Sequence, residues 1–266
     1  GGNGGGSSGN TDDTASVVSG TVIAPKATAK NGTVSLTVAS KYVAAALKNA
    51  KAADRVTVAP RISGNAETVS ITVAQKDVAS LASSATGLTI DSGFGGVTLP
   101  KASLTVLTGG DLTVEICRHT DGSVSYLLSS GGKSVETLAD GMLVSLPAKD
   151  GDILALLDSD GTAQKIKKSA VMDATAWALL HEPGRVTRIT DDKVFEDAAS
   201  HWGRNDIAFA AGRGLFLGVD DTHFDPDGAM TRAMFVTVLH RLEENPKAEG
   251  SRFADVAADA WYAEAS

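Results

Sequence analysis

From Thr21 the chain alternates apolar and polar residues, the mark of half-buried strands. Val34, Leu36 and Val38 alternate with polar neighbours, and Val69, Ile71 and Val73 do so again. After each run the spacing changes to that of a short helix. Tyr42, Val43, Ala46 and Leu47 share one face, as do Val78, Leu81 and Ala82. Ser40 is placed to cap the first helix, and Pro100 suits the first turn of a third. A further strand is expected after each helix, at 55–59, 88–90 and 112–117. The segments 33–44 and 68–79 are nearly the same sequence at an offset of 35, and 97–104 is a fainter third copy 26 residues on. Strand, helix, strand, repeated, predicts an α+β or α/β layer with helices on one face. A 35-residue period also fits a solenoid. The unequal spacing of the copies favours a compact, sandwich-like layer.

From Leu112 to Ile189 the pattern is mainly that of strands. Asp121-Gly122, Gly131-Gly132, Asp140-Gly141, Asp150-Gly151 and Asp160-Gly161 read as hairpin turns between them. Gly93-Phe94-Gly95-Gly96 lies between two strand patterns, so it reads as another turn and not as a phosphate cradle. Beyond Val194 the period becomes helical. Ser200 can cap a helix carrying Ile207, Ala210 and Ala211, which Gly212 and Gly214 end. A polar loop, 218–228, follows. Thr231 then caps a second helix with Phe235, Val238, Leu239 and Leu242 on one stripe. Phe216 and Phe224 are expected to fill the space between the helices. Two such helices cannot enclose a core alone and need neighbouring repeats.

The opening of this helical stretch recurs. Phe195 and Asp197 match Phe253 and Asp255, and Trp202 matches Trp261 after a one-residue insertion. The second copy, 251–266, is cut short inside its first helix. Together with Thr231-Arg232-Ala233, these residues resemble the S-layer homology domain, by which bacterial surface proteins are held on the cell wall. The order of strands in 130–166 is similar to a spacer domain found before such repeats. The expected organisation is a flexible Gly/Ser linker at 1–20, a repeated strand–helix–strand module at 21–110 and a β-rich spacer at 111–193. One S-layer homology repeat follows at 194–246, and a second begins at 251–266.

Composition narrows the functions open to the chain. A net charge of −8 over 266 residues gives no electrostatic case for nucleic acid or an anionic membrane surface. No run of 18 apolar residues is present, so no membrane insertion is expected. The start, with six glycines in its first nine residues, and the break inside a repeat suggest an internal piece of a larger protein. The single cysteine, Cys117, sits in an apolar run and reads as a small buried hydrophobe.

Candidate chemistry is sparse. Asn31-Gly32-Thr33 is a glycosylation sequon with no further support. His181-Glu182-Pro183-Gly184 is not a zinc helix, because Pro183 and Gly184 break it. An EF-hand frame on the acidic loop puts His223 at position 1 and Met234 at position 12, where Asp and Glu are needed, so turns explain the loop better. No metal, cofactor or enzymatic activity is therefore expected of this stretch. In Thr231-Arg232-Ala233-Met234 the methionine replaces the Glu of a capping box, so half of the box should be lost.

The resemblance implies more. Arg232 would reach an acidic secondary cell-wall polysaccharide carrying a pyruvate ketal, with Thr231 capping the helix beneath it and Trp202 stacking on a sugar. It implies an extracellular location at the cell wall, as part of an S-layer or similar surface, and further repeats in the same chain. Two alternatives stay open: a wall-anchored glycoside hydrolase whose catalytic domain lies before Gly1, or an adhesin using the β-rich module. The bland readings of the two side chains, Trp202 as core and Arg232 as a surface ion-pair partner, stay open as well.

Overall fold

A computed structural model describes residues 17–51, 54–84, 87–191, 193–247, 256–257 and 260–265. The chain divides into two compact units: Gly1–Pro147 with Leu179–Val186, and Ala148–Ala178 with Thr187–Ser266. The fold is mixed α+β, mostly strands with short helices.

The first unit begins with β1 (Val18–Ser19), β2 (Val22–Ile23), β3 (Lys26–Thr28), β4 (Thr33–Val38) and α1 (Ser40–Asn49). The same order returns as β5 (Val56–Val58), β6 (Arg61–Ser63), β7 (Thr68–Val73) and α2 (Gln75–Ser83). Each strand lies parallel to its counterpart in the next copy. Val22 is opposite Thr57, Lys26 opposite Arg61 and Thr33 opposite Thr68, all at the 35-residue offset. The chain thus winds through two rungs, because equal spacing puts like side chains above one another and buries Val34 on Val69 and Val38 on Val73.

The winding stops at the third copy. β8 (Leu88–Asp91) continues parallel to β5, but β9 (Gly96–Leu99) turns back antiparallel on β8. So the third copy's strand joins the sheet of β5 and β8 and not that of β4 and β7, as repetition would suggest. α3 (Lys101–Val106), β10 (Leu112–Arg118), β11 (Val124–Ser130), β12 (Lys133–Ser134) and β13 (Met142–Pro147) complete the first unit, with Gly184–Val186 pairing with β11.

The result is two sheets, β1-β2-β5-β8-β9-β13 and β11-β10-β7-β4. They face one another. Fully buried Tyr126 of β11 donates its hydroxyl to Ser145 O of β13 at 2.7 Å. The rungs and the sandwich are therefore both present, one built from the other.

Several expectations are corrected. β10 pairs with β7 from Leu112 opposite Val73 to Cys117 opposite Thr68. The boundary expected between 110 and 111 therefore falls inside one unit, where a break would leave a long strand edge bare. The linker expected over 1–20 lies outside the described residues as far as residue 16, and the described chain starts with buried Val17 and paired Val18–Ser19. Ser40 does not cap α1. Ala39 holds that position, and the Ser40 hydroxyl donates to Asp77 Oδ2 of α2 at 2.6 Å. Pro100 stands one place earlier than expected, as the N-cap of α3. Asp140-Gly141 and Asp150-Gly151 are turns but join no paired strands, whereas Asp121-Gly122 and Gly131-Gly132 do. Gly93 to Gly96 turns β8 into β9, as the glycine pattern predicts.

The second unit holds two hairpins and the helical module. β14 (Ile153–Leu157) pairs with β15 (Ala163–Lys165) around Asp160-Gly161. β16 (Ser169–Met172) pairs with β17 (Thr175–Leu180). α4 (Arg204–Gly212) and α5 (Arg232–Leu242) follow. The hairpins, expected to belong to a separate spacer, pack on α4. A Cβ on Gly212 would come within 2.6 Å of Ile153 Cδ1, and Arg213 Nε donates to Ser169 O at 2.8 Å. Lys167 and Lys168 pair with Glu244 and Glu243 beyond α5.

Candidate functional site

The helical module is assembled around Phe195, Ala198, Ile207 and Ala211, with Phe224 packed against them. Phe224 lies 5.3 Å from the Phe195 ring and 5.9 Å from Phe216, so the two phenylalanines expected between the helices do meet there. Ser200 is not the cap of α4. The chain makes a turn through 197–203, and Gly203 stands at the N-cap. At the other end Gly214 is left-handed (φ +70°) and Gly214 N donates to Ala211 O, which closes the helix.

The loop between the helices is held by two carboxylates whose role sequence spacing does not reveal. Asp197 accepts from Phe224 N at 2.9 Å and from Asp225 N at 2.7 Å. Asp220 accepts from Thr222 N and His223 N, each at 2.7 Å. Donated backbone N–H groups stabilise the ionised form, so Asp197 is held below the ordinary carboxylate range and Asp220 at about 2. His223 is raised by the Asp220 side chain that it meets. Gly228 N donates to Asp225 O, which makes 225–228 a β-turn. The acidic loop is therefore a set of turns. Among the described residues no group of three His, Cys, Asp or Glu could hold a metal.

Thr231 is the N-cap of α5 and accepts from Met234 N at 3.2 Å. The other half of the box is not lost. Thr231 N donates to the thioether Sδ of Met234 at 3.5 Å, a weak acceptor standing where a carboxylate was expected. Arg232 opens the helix. It is exposed and makes no hydrogen bond or ion pair with the described residues. Beside it lies an open depression of about 360 Å³, lined by Met230, Thr231, Arg232, Phe235 and Val236.

Trp202 is 88% exposed and tilts against His201, with 5.2 Å between the rings, so it is not a core residue. The stripe expected to bury α5 is only partly covered, with Phe235 52% and Leu239 45% exposed. A broader cleft of about 770 Å³ runs past Phe216, Phe224, Met234, Val238 and Trp261. Residues 251–255 of the second copy lie outside the described residues, and Trp261 stands edge-on to Tyr262 before a short 3-10 turn, Ala263–Ala265. Cys117 is half-buried, with its thiol pushed up by burial.

Comparison with known proteins bears on this module. The family model of the S-layer homology domain matches residues 194–234. The amylopullulanase of Thermoanaerobacterium thermosulfurigenes is 37% identical over 76 residues, 28% of this chain and 4% of that protein. The endo-1,4-beta-xylanase A of Thermoanaerobacterium saccharolyticum is 33% identical over 73 residues, 27% of this chain and 6% of that protein. The chain thus spans only a small part of the relatives that it matches. No solved structure matches it. Among the described residues no helix is long and apolar enough to cross a membrane.

Proposed function

Taking as premise that the chain carries an S-layer homology domain and is a bacterial cell-surface protein anchored at the cell wall, we propose that its ligand is a pyruvylated secondary cell-wall polysaccharide. Arg232, Thr231 and Trp202 are the residues that meet it. The observation that carries this reading is Arg232 itself. A guanidinium with no partner among the described residues stands at a helix N-terminus, beside an open depression. Its planar fork suits a carboxylate, and the helix dipole adds to the attraction. Thr231 fixes the start of the helix, and the exposed Trp202 ring offers a sugar a flat apolar face. The uncovered face of α5 is where further repeats of the same chain would pack, completing the core that one repeat leaves open.

Calorimetric titration with purified wall polysaccharide, before and after mild-acid removal of its pyruvate ketals, tests the reading. The protein for it is this chain extended through two further repeats. Arg232→Ala should weaken binding to the intact polymer by ~1.5 to 3 kcal/mol, the contribution of a charge-assisted pair. It should do little to the acid-treated polymer. Equal affinity for both polymers would exclude the pyruvate as the recognised group.

A second reading concerns the larger protein. Both relatives bear the names of glycan-cleaving enzymes, an amylopullulanase and a xylanase, and match over about a quarter of this chain. In that reading the chain anchors a glycoside hydrolase whose catalytic part is elsewhere, and its β-rich unit is a spacer.

A further inference from the structure

A second cleft lies within the C-terminal unit, away from Arg232, between the β14 and β16 strands and α4. It measures about 510 Å³ and is lined by Asp150, Asp152, Asp191, Asn205, Phe209 and Arg213 among others. That volume falls within the range of small-molecule sites. Arg213 is its unusual member, because only 3% of it is exposed. Its Nε donates to Ser169 O at 2.8 Å and its Nη1 to Phe209 O at 3.1 Å. Among the described residues nothing accepts from Nη2. A buried guanidinium with donors left over is costly unless a ligand or water takes them.

The remaining lining narrows the ligand. The Asp150 side chain is exposed and makes no hydrogen bond with the described residues, and the same holds for the Asn205 side chain. Asp152 uses Oδ2 to accept from Lys149 N, and Asp191 is paired with Lys165. Three carboxylates outnumber the guanidinium, so an anion is disfavoured. No group of three metal-ligating side chains is found among the described residues, so a metal ion has no built site. What remains suited is a molecule that both donates and accepts at close intervals while carrying no charge. Hydroxyl groups do this: they can donate to Asp150 and Asp152 and accept from Asn205 and Arg213. Phe209 adds an apolar surface. Its ring is covered on one side by Arg213 at 3.7 Å, yet the residue stays 44% exposed and can meet the C–H face of a sugar.

We infer that this cleft binds an uncharged saccharide segment, with Asp150, Asn205, Phe209 and Arg213 as its contacts. The inference rests on the wall-anchoring reading for the source of the saccharide, a neutral stretch of wall polymer, and on the cleft alone for its chemistry. It would make the anchor two-handed, one contact charged and one neutral.

The test is an NMR titration of the isotope-labelled full chain with cellotetraose and, separately, with tetra-N-acetylchitotetraose. At least one should shift the Asn205 side-chain amide and the Arg213 Nε–H saturably at millimolar concentration. Asn205→Ala and Asp150→Ala should each weaken that binding about fivefold, the loss of one hydrogen bond, with unchanged melting. Both side chains are exposed and bond to nothing in the described protein, so neither variant should unfold it. Arg232→Ala should leave the oligosaccharide affinity unaltered. No shift with either sugar overturns the inference. So does binding that both cleft variants retain, or binding that Arg232→Ala abolishes. Failure of the chain extended through two further repeats to bind wall polymer, with the oligosaccharide shifts intact, would overturn the wall as the source and leave the saccharide site standing.

Discussion

Gly218 lies where the loop between the anchor's two helices passes close to its own backbone. Its φ is +85°, and a Cβ there would lie 2.6 Å from His223 O and 2.9 Å from Asp220 O. These are backbone atoms and cannot swing aside. Gly218→Ala should therefore destabilise the module by at least about 2 kcal/mol, read as a lower midpoint in urea. An unchanged midpoint would mean that the loop can take another path. The carboxylate beside it sets a pH limit. Asp220, at about 2 against an ordinary 3.8, has its folded value depressed. Its contribution to the loop is thus complete above 3.8 and is lost as pH falls toward 2. The Asp220 carboxyl carbon should titrate with an NMR midpoint near 2, and a midpoint near 3.8 would show that the two backbone donors do not hold it. At this scale the sequence was legible where a rule is local. Thr231 as a cap followed from spacing alone, and so did the left-handed Gly214. The thioether closing the capping box did not, because a methionine at that position carries no polar signal. The hold of Asp197 on residues 27 and 28 positions away could not be read either, since nothing in a sequence pairs them.

Elements were legible in kind and less so in partner. The strands β4 and β7 and the helices after them follow from alternation and a 3.6-residue stripe. Their parallel stacking at 35 residues follows from the repeat. The reversal at β9 does not, because Val97-Thr98-Leu99 looks like its earlier counterparts and only the short turn before it sends the strand back. The β16–β17 hairpin was invisible for another reason. Its two-residue turn has Asp173 and Ala174 at φ +52° and +56° with no glycine to announce it. Alanine is a poor choice there, since its Cβ crowds the following carbonyl in the left-handed region. Ala174→Gly should stabilise the chain by about 1 kcal/mol and raise Tm by about 2 to 4 °C in a thermal scan. A fall in Tm would mean that the turn is not of this type in solution.

At the scale of the whole molecule, the contact of the hairpins with α4 was the part hidden from sequence. Both the hairpin residues and the helix read as ordinary amphipathic elements. Nothing in their spacing says that Ile153 meets Gly212 or that Arg213 reaches Ser169. The anchor's identity was the most legible feature, because its motif residues are close in sequence. Its candidate contacts split: Arg232 and Trp202 are read from motif and repeat, while the cleft around Arg213 needs the fold. The proposed anchor holds the wall through its secondary polysaccharide. Co-sedimentation measures this directly, using the chain extended through two further repeats with purified bacterial walls, intact or stripped of their secondary polysaccharide. The protein should pellet with intact walls and stay in solution with stripped ones. Equal pelleting with both, or with neither, would contradict it.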